Sequence, residues 1–365
     1  MAHDPLEIIR FFQLEGELLA LAPCGSGHIN DTYASSFRAG SKIVRYVHQW
    51  INPHVFRDPV QVMENIERVT RYIRQRVIDR GGDPAREVLT LVAASDGRPF
   101  CQTPQGDFWR TYTFIEGART YDTAENPHHV YSASKAFGNF QKILGDLPGG
   151  RLHETIPDFH HTRKRLDTFI HILETDPANR ARLVKPEIDF ILQREGETSV
   201  VVDLLANGKI PERVTHNDTK LNNVMIDDSS GEGICVIDLD TVMPGSALYD
   251  FGDSVRIGAC TAAEDEPDLA KVGFDISRFE WLARGYLDAV RDFLIPAEIE
   301  RLAFSARLIS IEQAIRFLGD YLNGDVYYKI HHPGHNLDRA RTQIKMITEM
   351  ERQEEAMNTI VSRYR

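Results

Sequence analysis

The sequence predicts an α+β chain of two lobes, a small strand-rich lobe over residues 1–116 and a large, mainly helical lobe over residues 117–365. Three observations carry this. The 365 residues exceed what one hydrophobic core of ordinary size organises. Apolar residues alternate or run in short blocks as far as Glu116-Gly117, then recur every three or four positions almost to the end. One stretch, Val214 to Asp253, breaks into the helical part with short strands and polar loop residues.

Composition narrows the class. Hydrophobic residues at 42% and charged residues at 26% are ordinary globular usage, so an ordered chain is expected. A formal net charge of -12 lacks the basic footprint that neutralises nucleic-acid phosphates, and no nucleic-acid partner is expected. Cys24, Cys101, Cys235 and Cys260 are scattered without a C-x-x-C pair, which reads as reduced thiols in a cytoplasmic protein. The first residues, with Asp4 and Pro5, do not read as a secretory signal, and no run approaches the roughly 20 apolar residues of a membrane span. A cytoplasmic monomer without membrane attachment is the expectation.

Taken in order, Leu6, Ile9, Phe11 and Phe12 mark a short amphipathic helix, and Leu18 to Pro23 a strand. Gly25 and Gly27 follow, with His28, Asn30, Asp31 and Thr32 beside them. Glycines between strands let backbone N–H groups approach an anion closely, and a plain hairpin turn is the alternative. Lys42 to Val47 is a strand that runs into His48-Gln49. From Pro59, Val62, Ile66, Val69, Ile73 and Val77 trace one helix face, with Glu64 and Glu67 on the other. Val88 to Ala93 and Phe108 to Ile115 read as a strand pair, and Glu116-Gly117 as the lobe boundary. Helices are expected over 130–144, 163–173, 187–205, 278–293, 297–322 and 337–361.

The stretch from Val214 holds the chemistry. His216-Asn217-Asp218 and Asn223 form an H-x-D-x-x-x-x-N loop, and Ile234 to Ile237 is an apolar strand with Asp238 at its end, twenty positions after Asp218. In a phosphoryl transfer an aspartate so placed accepts the hydroxyl proton, while the asparagine and the strand-end aspartate hold magnesium. Singly, each is an ordinary cap or turn residue. Together they point to transfer chemistry. Asp250-Phe251-Gly252 matches the magnesium tripeptide of protein kinases in letters only. It falls thirty-two positions after Asp218, with the strand-end place already filled by Asp238, so Asp250 and Asp253 are read as structural supports.

These residues resemble the aminoglycoside phosphotransferase and choline kinase superfamily, whose fold is two-lobed and protein-kinase-like. The chain is similar, more closely, to the bacterial N-acetylhexosamine 1-kinases through Gly27 to Asn30, Trp109-Arg110, Phe114 to Glu116, Val214 to Asn223, Ile237 to Gly258, Arg316 to Leu318, Asp320 to Leu322 and His335 to Leu337. The resemblance implies magnesium-dependent transfer from ATP to the anomeric hydroxyl of N-acetylglucosamine or N-acetylgalactosamine. It implies Asp218 as base, Asn223 and Asp238 as metal ligands, and His28, Asn30, Asp218, Arg316 and Tyr327 at the sugar. Gly25 and Gly27 would cover the nucleotide phosphates, with adenine against Phe114, Ile115 and Glu116. Gln49 falls where a protein kinase has its phosphate-pairing lysine. An amino alcohol or aminoglycoside acceptor is the alternative, for which Glu264, Asp265, Glu266 and Asp268 offer negative charge, unless they form a solvated acidic loop.

Overall fold

A computed structural model describes residues 4–25 and 29–365. The first lobe holds α1 (Pro5–Ile8), β1 (Glu17–Pro23), β2 (Thr32–Ala39), β3 (Lys42–Ile51), α2 (Pro59–Asp79), β4 (Cys101–Gln102) and β5 (Phe108–Thr113). Its five strands pair antiparallel in the order β1-β2-β3-β5-β4. The register sets Gln49 opposite Arg110, so both side chains leave the same face of the sheet. Val88 to Ala93 does not form the expected strand. Thr90 and Val92 exchange two hydrogen bonds with Thr113 and Thr111 and then leave, so the segment only brackets the edge of β5.

α2 behaves as its period demands. Asp58 caps it by accepting from the Gln61 N–H, with Pro59 in the first turn. Val62, Ile66, Val69, Ile73 and Val77 are buried, each worth about 1.5–3 kcal/mol of apolar burial. They pack against Phe140, Leu144, Leu239 and Val242 of the second lobe, so one core runs across the junction. On the outer face Glu64 binds His153 and Glu67 pairs with Arg71.

The second lobe opens with β6 (Ala118–Arg119), α3 (Pro127–Leu144), α4 (Thr162–Thr175), α5 (Lys185–Leu192) and α6 (Val200–Ala206). It continues through β7 (Arg213–Thr215), β8 (Val224–Asp227), β9 (Gly233–Val236), β10 (Met243–Gly245) and α7 (Ala247–Gly258). α8 (Ile276–Val290), α9 (Pro296–Ile299), α10 (Leu302–Leu322), α11 (His335–Arg352) and α12 (Glu354–Tyr364) complete it. β6-β8-β9 and β10-β7 are the small sheets that carry the polar loops.

Three expected long helices are each broken. The span 187–205 divides into α5 and α6 around a single 3-10 turn at Glu195–Glu197. Buried Glu298, paired with Arg213 and accepting from the Ile295 N–H, closes α9 as a separate turn before α10. At Gln353, whose side chain donates to the Phe274 carbonyl, the chain turns so that Met357, Ile360 and Val361 reach the core cluster around α8. Breaks this short, one residue at Gln353 and two before α10, leave hydrophobic periodicity almost intact, and the 3-10 turn between α5 and α6 keeps a spacing near three, which is why spacing alone reads through them.

Candidate active site

The H-x-D loop is built from beneath. Asp250, 1% exposed, accepts from the backbone N–H of His216 (2.9 Å) and of Asn217 (2.7 Å) and from Gln141 Nε2 (2.5 Å). Asp253 accepts from the Thr219 N–H and pairs with Arg256. Both aspartates lie on α7, capped at Ser246, and not on a loop. Gly252 answers to packing: a Cβ there would stand 2.5 Å from the Ser305 carbonyl oxygen of α10. The D-F-G letters therefore belong to a buried helix that supports the loop.

His216 is buried, edge-on to Phe137 and Phe140, with Nε2 2.9 Å from the Ile237 carbonyl oxygen. Asn217 takes a left-handed backbone, φ 64°, and its side chain donates to the Thr241 carbonyl (2.8 Å) and accepts from Thr215 Oγ1 (3.0 Å). Such a conformation costs a non-glycine residue about 1 kcal/mol or more, and these bonds offset it. The loop so formed leaves Asp218 half-buried.

Asn223 Nδ2 donates to the Asp218 carbonyl oxygen (2.8 Å) and reaches Asp218 Oδ2 at 3.3 Å. The Ile237 N–H donates to the Asn223 carbonyl (2.9 Å), which sets Asp238 beside Asn223. Asp238 is also left-handed, φ 59°. Its side chain reaches solvent at the edge of a densely packed region. That packing, followed by the charges of Asp240 and Asp218, pushes its carboxyl pKa up to about 6. Three carboxylates close enough to repel one another form a place where a divalent cation would be stabilised.

Asn223 Oδ1, with its amide nitrogen committed, and the Asp238 carboxylate could hold such a cation. Among the described residues no group of three or more His, Cys, Asp or Glu side chains is placed to hold a metal. One amide oxygen and one carboxylate is a sparse set, and it suits magnesium, which keeps several waters and completes its shell from phosphates.

Several residues that carry the site were not singled out by spacing. Lys220 Nζ lies 2.9 Å from Asp218, and although burial opposes its charge, Asp218, Asp253 and Asp238 hold its pKa above the usual lysine value. Asp240 receives the guanidinium of fully buried Arg110 and, at 2.5 Å, Asn30 Nδ2. Asn30 Oδ1 accepts from the Asn52 N–H, so both ends of this expected sugar contact are engaged within the protein. Gln49 Oε1 accepts from Arg110 Nε (3.0 Å) and its Nε2 donates to Thr32. The D-x-D repeat at 238 and 240 was the one signal that could have drawn attention to Asp240.

At the lobe boundary Arg45 stacks on the Phe114 ring and pairs with Glu116. Ile115 is buried, and the Glu116 and Gly117 carbonyls accept from Arg86, which also pairs with Asp227. The Phe114 N–H donates to the Arg45 carbonyl. Gly25 has φ 84° and open space where a Cβ would be, while Gly27 and His28 lie outside the described residues.

On the other side, Arg316 on α10 lies over the rings of Phe159 and Tyr328, centroids 5.5 and 5.6 Å away. Tyr327 is 65% exposed and meets Tyr328 edge-on. Asp320, one turn beyond Arg316, accepts the N–H groups of residues 326 to 328 and moulds that loop. Glu312, one turn before Arg316, binds His160 Nδ1 (2.8 Å), whose Nε2 faces the Asn217 carbonyl (3.2 Å). Burial opposes a charged His160, but Glu312 outweighs it and raises the imidazole pKa. This relay ties the Arg316 helix to the Asp218 loop.

A strand-rich lobe on a helical lobe, with the Asp218, Asn223 and Asp238 side chains brought together by the small strands of the second, is the kinase-like phosphotransferase fold. Residues 20–286 match the family described as the phosphotransferase enzyme family, APH, and the chain belongs to that family. Solved structures are similar over nearly the whole length. An aminoglycoside phosphotransferase from Alicyclobacillus acidocaldarius matches with TM-score 0.61 at 13% identity, covering 100% of this chain and 98% of the other. A microcompartment-associated aminopropanol kinase matches with TM-score 0.57 at 13% identity, covering 97% and 98%. A spectinomycin phosphotransferase in complex with ADP and spectinomycin matches with TM-score 0.53 at 14% identity, covering 92% of each. No helix among the described residues is long and apolar enough to cross a membrane.

Proposed function

We propose that this chain transfers the γ-phosphate of ATP to the anomeric hydroxyl of an N-acetylhexosamine, with Asp218 as general base. The observation that supports the acceptor class is a pair of guanidiniums, Arg165 and Arg316, joined to the Asp218 loop through Glu312 and His160. Arg165 lies near Arg316, and burial followed by the Arg316 charge lowers its pKa. Arg165 Nε is buried without a partner among the described residues. The two acids on the Arg316 helix are committed elsewhere, Glu312 to His160 and Thr162, Asp320 to backbone N–H groups. An ammonium acceptor entering here meets like charge at a cost of order 1 kcal/mol or more at 4–6 Å. A neutral sugar offers hydroxyl and acetamide oxygens to guanidinium donors and an apolar ring face to Phe159, Tyr327 and Tyr328.

The acidic segment that would favour a cationic acceptor is also spoken for. Glu264 pairs with Arg256, Asp265 with His335, and Glu266 with Lys271.

In this reading Asp218 takes the proton of the attacking hydroxyl while Lys220, at 2.9 Å, stabilises its carboxylate and the approaching phosphoryl oxygens. Asn223 and Asp238 would hold magnesium, which when bound neutralises charge on the transferring phosphoryl group. Gly25 and Gly27 would cover the phosphates, and Phe114 to Glu116 would take adenine. Binding of ADP by the spectinomycin phosphotransferase on the same fold supports ATP as donor.

The test incubates protein, magnesium and [γ-³²P]ATP with N-acetylglucosamine, N-acetylgalactosamine, an aminoglycoside and aminopropanol. An acid-labile sugar phosphate from either N-acetylhexosamine is expected. Label appearing only in the amines would sink the proposal.

A further inference from the structure

Arg110 stands on β5 in the first lobe, and Asp240 lies in the second lobe two residues beyond Asp238. Arg110 is 0% exposed and grips Asp240 through Nη1 while Nε donates to Gln49 Oε1 at 3.0 Å. Asn30, also from the first lobe, donates to the other Asp240 oxygen at 2.5 Å. Between this grip and the His216 contact to the Ile237 carbonyl (2.9 Å) sits Asp238 with its left-handed φ of 59°. A non-glycine residue keeps that backbone only where its flanks are held.

We propose that Arg110, acting through Asp240 and seconded by Asn30, is the positioning residue that aims Asp238 at the metal, reaching it from across the lobe junction. The register explains the placement: Gln49 occupies the expected lysine position, and Arg110 is its partner on the neighbouring strand. The sheet thus sets a cation beside Gln49, and that cation serves the carboxylate loop. Stability is a poor account of the pair. Both ions are desolvated, Arg110 Nη2 has no partner among the described residues, and a matched apolar pair is commonly as stable as a buried ion pair.

The proposal rests on Asp238 as a metal ligand, so the test separates the two ideas. Mn²⁺ binding is measured by electron paramagnetic resonance with saturating β,γ-imido-ATP, against nucleotide alone, for wild type, Asp238→Asn, Arg110→Met, Arg110→Met/Asp240→Leu and Asn30→Ala. Wild type is expected to bind and Asp238→Asn to lose the site. No protein-bound Mn²⁺ in wild type overturns both ideas.

Arg110→Met strands a buried carboxylate and lowers the melting temperature. The double variant is expected to recover that temperature while its Mn²⁺ affinity stays about 10-fold or more below wild type, the usual scale for residues that orient a metal ligand. Recovery of affinity together with stability would show the pair to be packing and overturn the proposal. Asn30→Ala keeps both charges and is expected to weaken Mn²⁺ severalfold with little change in melting. If the double variant does not fold, an unchanged affinity in Asn30→Ala overturns the proposal.

Discussion

Asp250→Asn separates the two roles that the D-F-G letters could signify. In the structure Asp250 Oδ2 accepts from both the His216 N–H (2.9 Å) and Gln141 Nε2 (2.5 Å), while Oδ1 accepts from the Asn217 N–H (2.7 Å). An asparagine with its oxygen in the Oδ2 place keeps the first two bonds and turns its NH₂ towards the third donor. Gln141 cannot flip to relieve this cheaply, because its Oε1 already accepts from the Tyr286 hydroxyl (2.5 Å). One buried donor is thus left without an acceptor, at about 1–3 kcal/mol. At roughly 2–4 °C per kcal/mol for domains of 150–250 residues, melting should fall by several degrees. Differential scanning fluorimetry reads the melting point, and electron paramagnetic resonance with the imido nucleotide reads Mn²⁺. Lower melting with Mn²⁺ affinity within about threefold of wild type is expected for a residue that supports the loop from below. Unchanged melting with Mn²⁺ binding abolished would refute the reasoning and return the metal to the D-F-G aspartate.

Asp218→Asn should lower kcat by about 10²–10⁴ while ATP binding, measured by calorimetry, stays close to wild type. Its melting point should move little, since the lost partners Lys220 and Asn223 lie at a partly solvated site where such a pair is worth about 1 kcal/mol or less. Arg316→Met should raise the acceptor KM about 10-fold or more, the scale of a lost hydrogen bond from a charged donor, and leave the ATP KM unchanged in steady-state assays. His48 has a folded-state pKa lowered by burial from 6.5 to about 4, its ring held neutral between Ser35 and Thr111. The unfolded chain therefore takes up this proton first. Stability from His48 is complete above pH 6.5 and lost between pH 6.5 and about 4, a fall of roughly 3 kcal/mol that urea titrations should show and His48→Gln should flatten.

Local sequence was enough for the elements whose signals are strongly periodic or tightly spaced, although it read through the breaks in three helices and made a strand of Val88 to Ala93. The α2 helix is legible because an apolar face repeats every three or four residues and Asp58-Pro59 caps it. The H-x-D-x-x-x-x-N loop and the strand-end Asp238 are legible because a loop of that length can bring Asp218 and Asn223 together without help from elsewhere. Spacing also sufficed to set Asp250 aside as a support, although its place on a helix, and Gly252 as a packing contact, required the neighbouring α10.

What only the tertiary structure decided is which distant charges meet. Arg110 and Asp240 stand 130 positions apart, and Arg165 on α4 feels the charge of Arg316 on α10. Neither pairing leaves a period or a motif. An arginine in a strand and an arginine in a helix look alike in sequence whether they face solvent, a carboxylate or each other. Burial makes the difference, because removing water turns a weak surface charge into one that must find a partner, and the packing of two lobes chooses that partner. The chain's own order thus determined the loop and the strand that follows it; the fold determined which charges surround them.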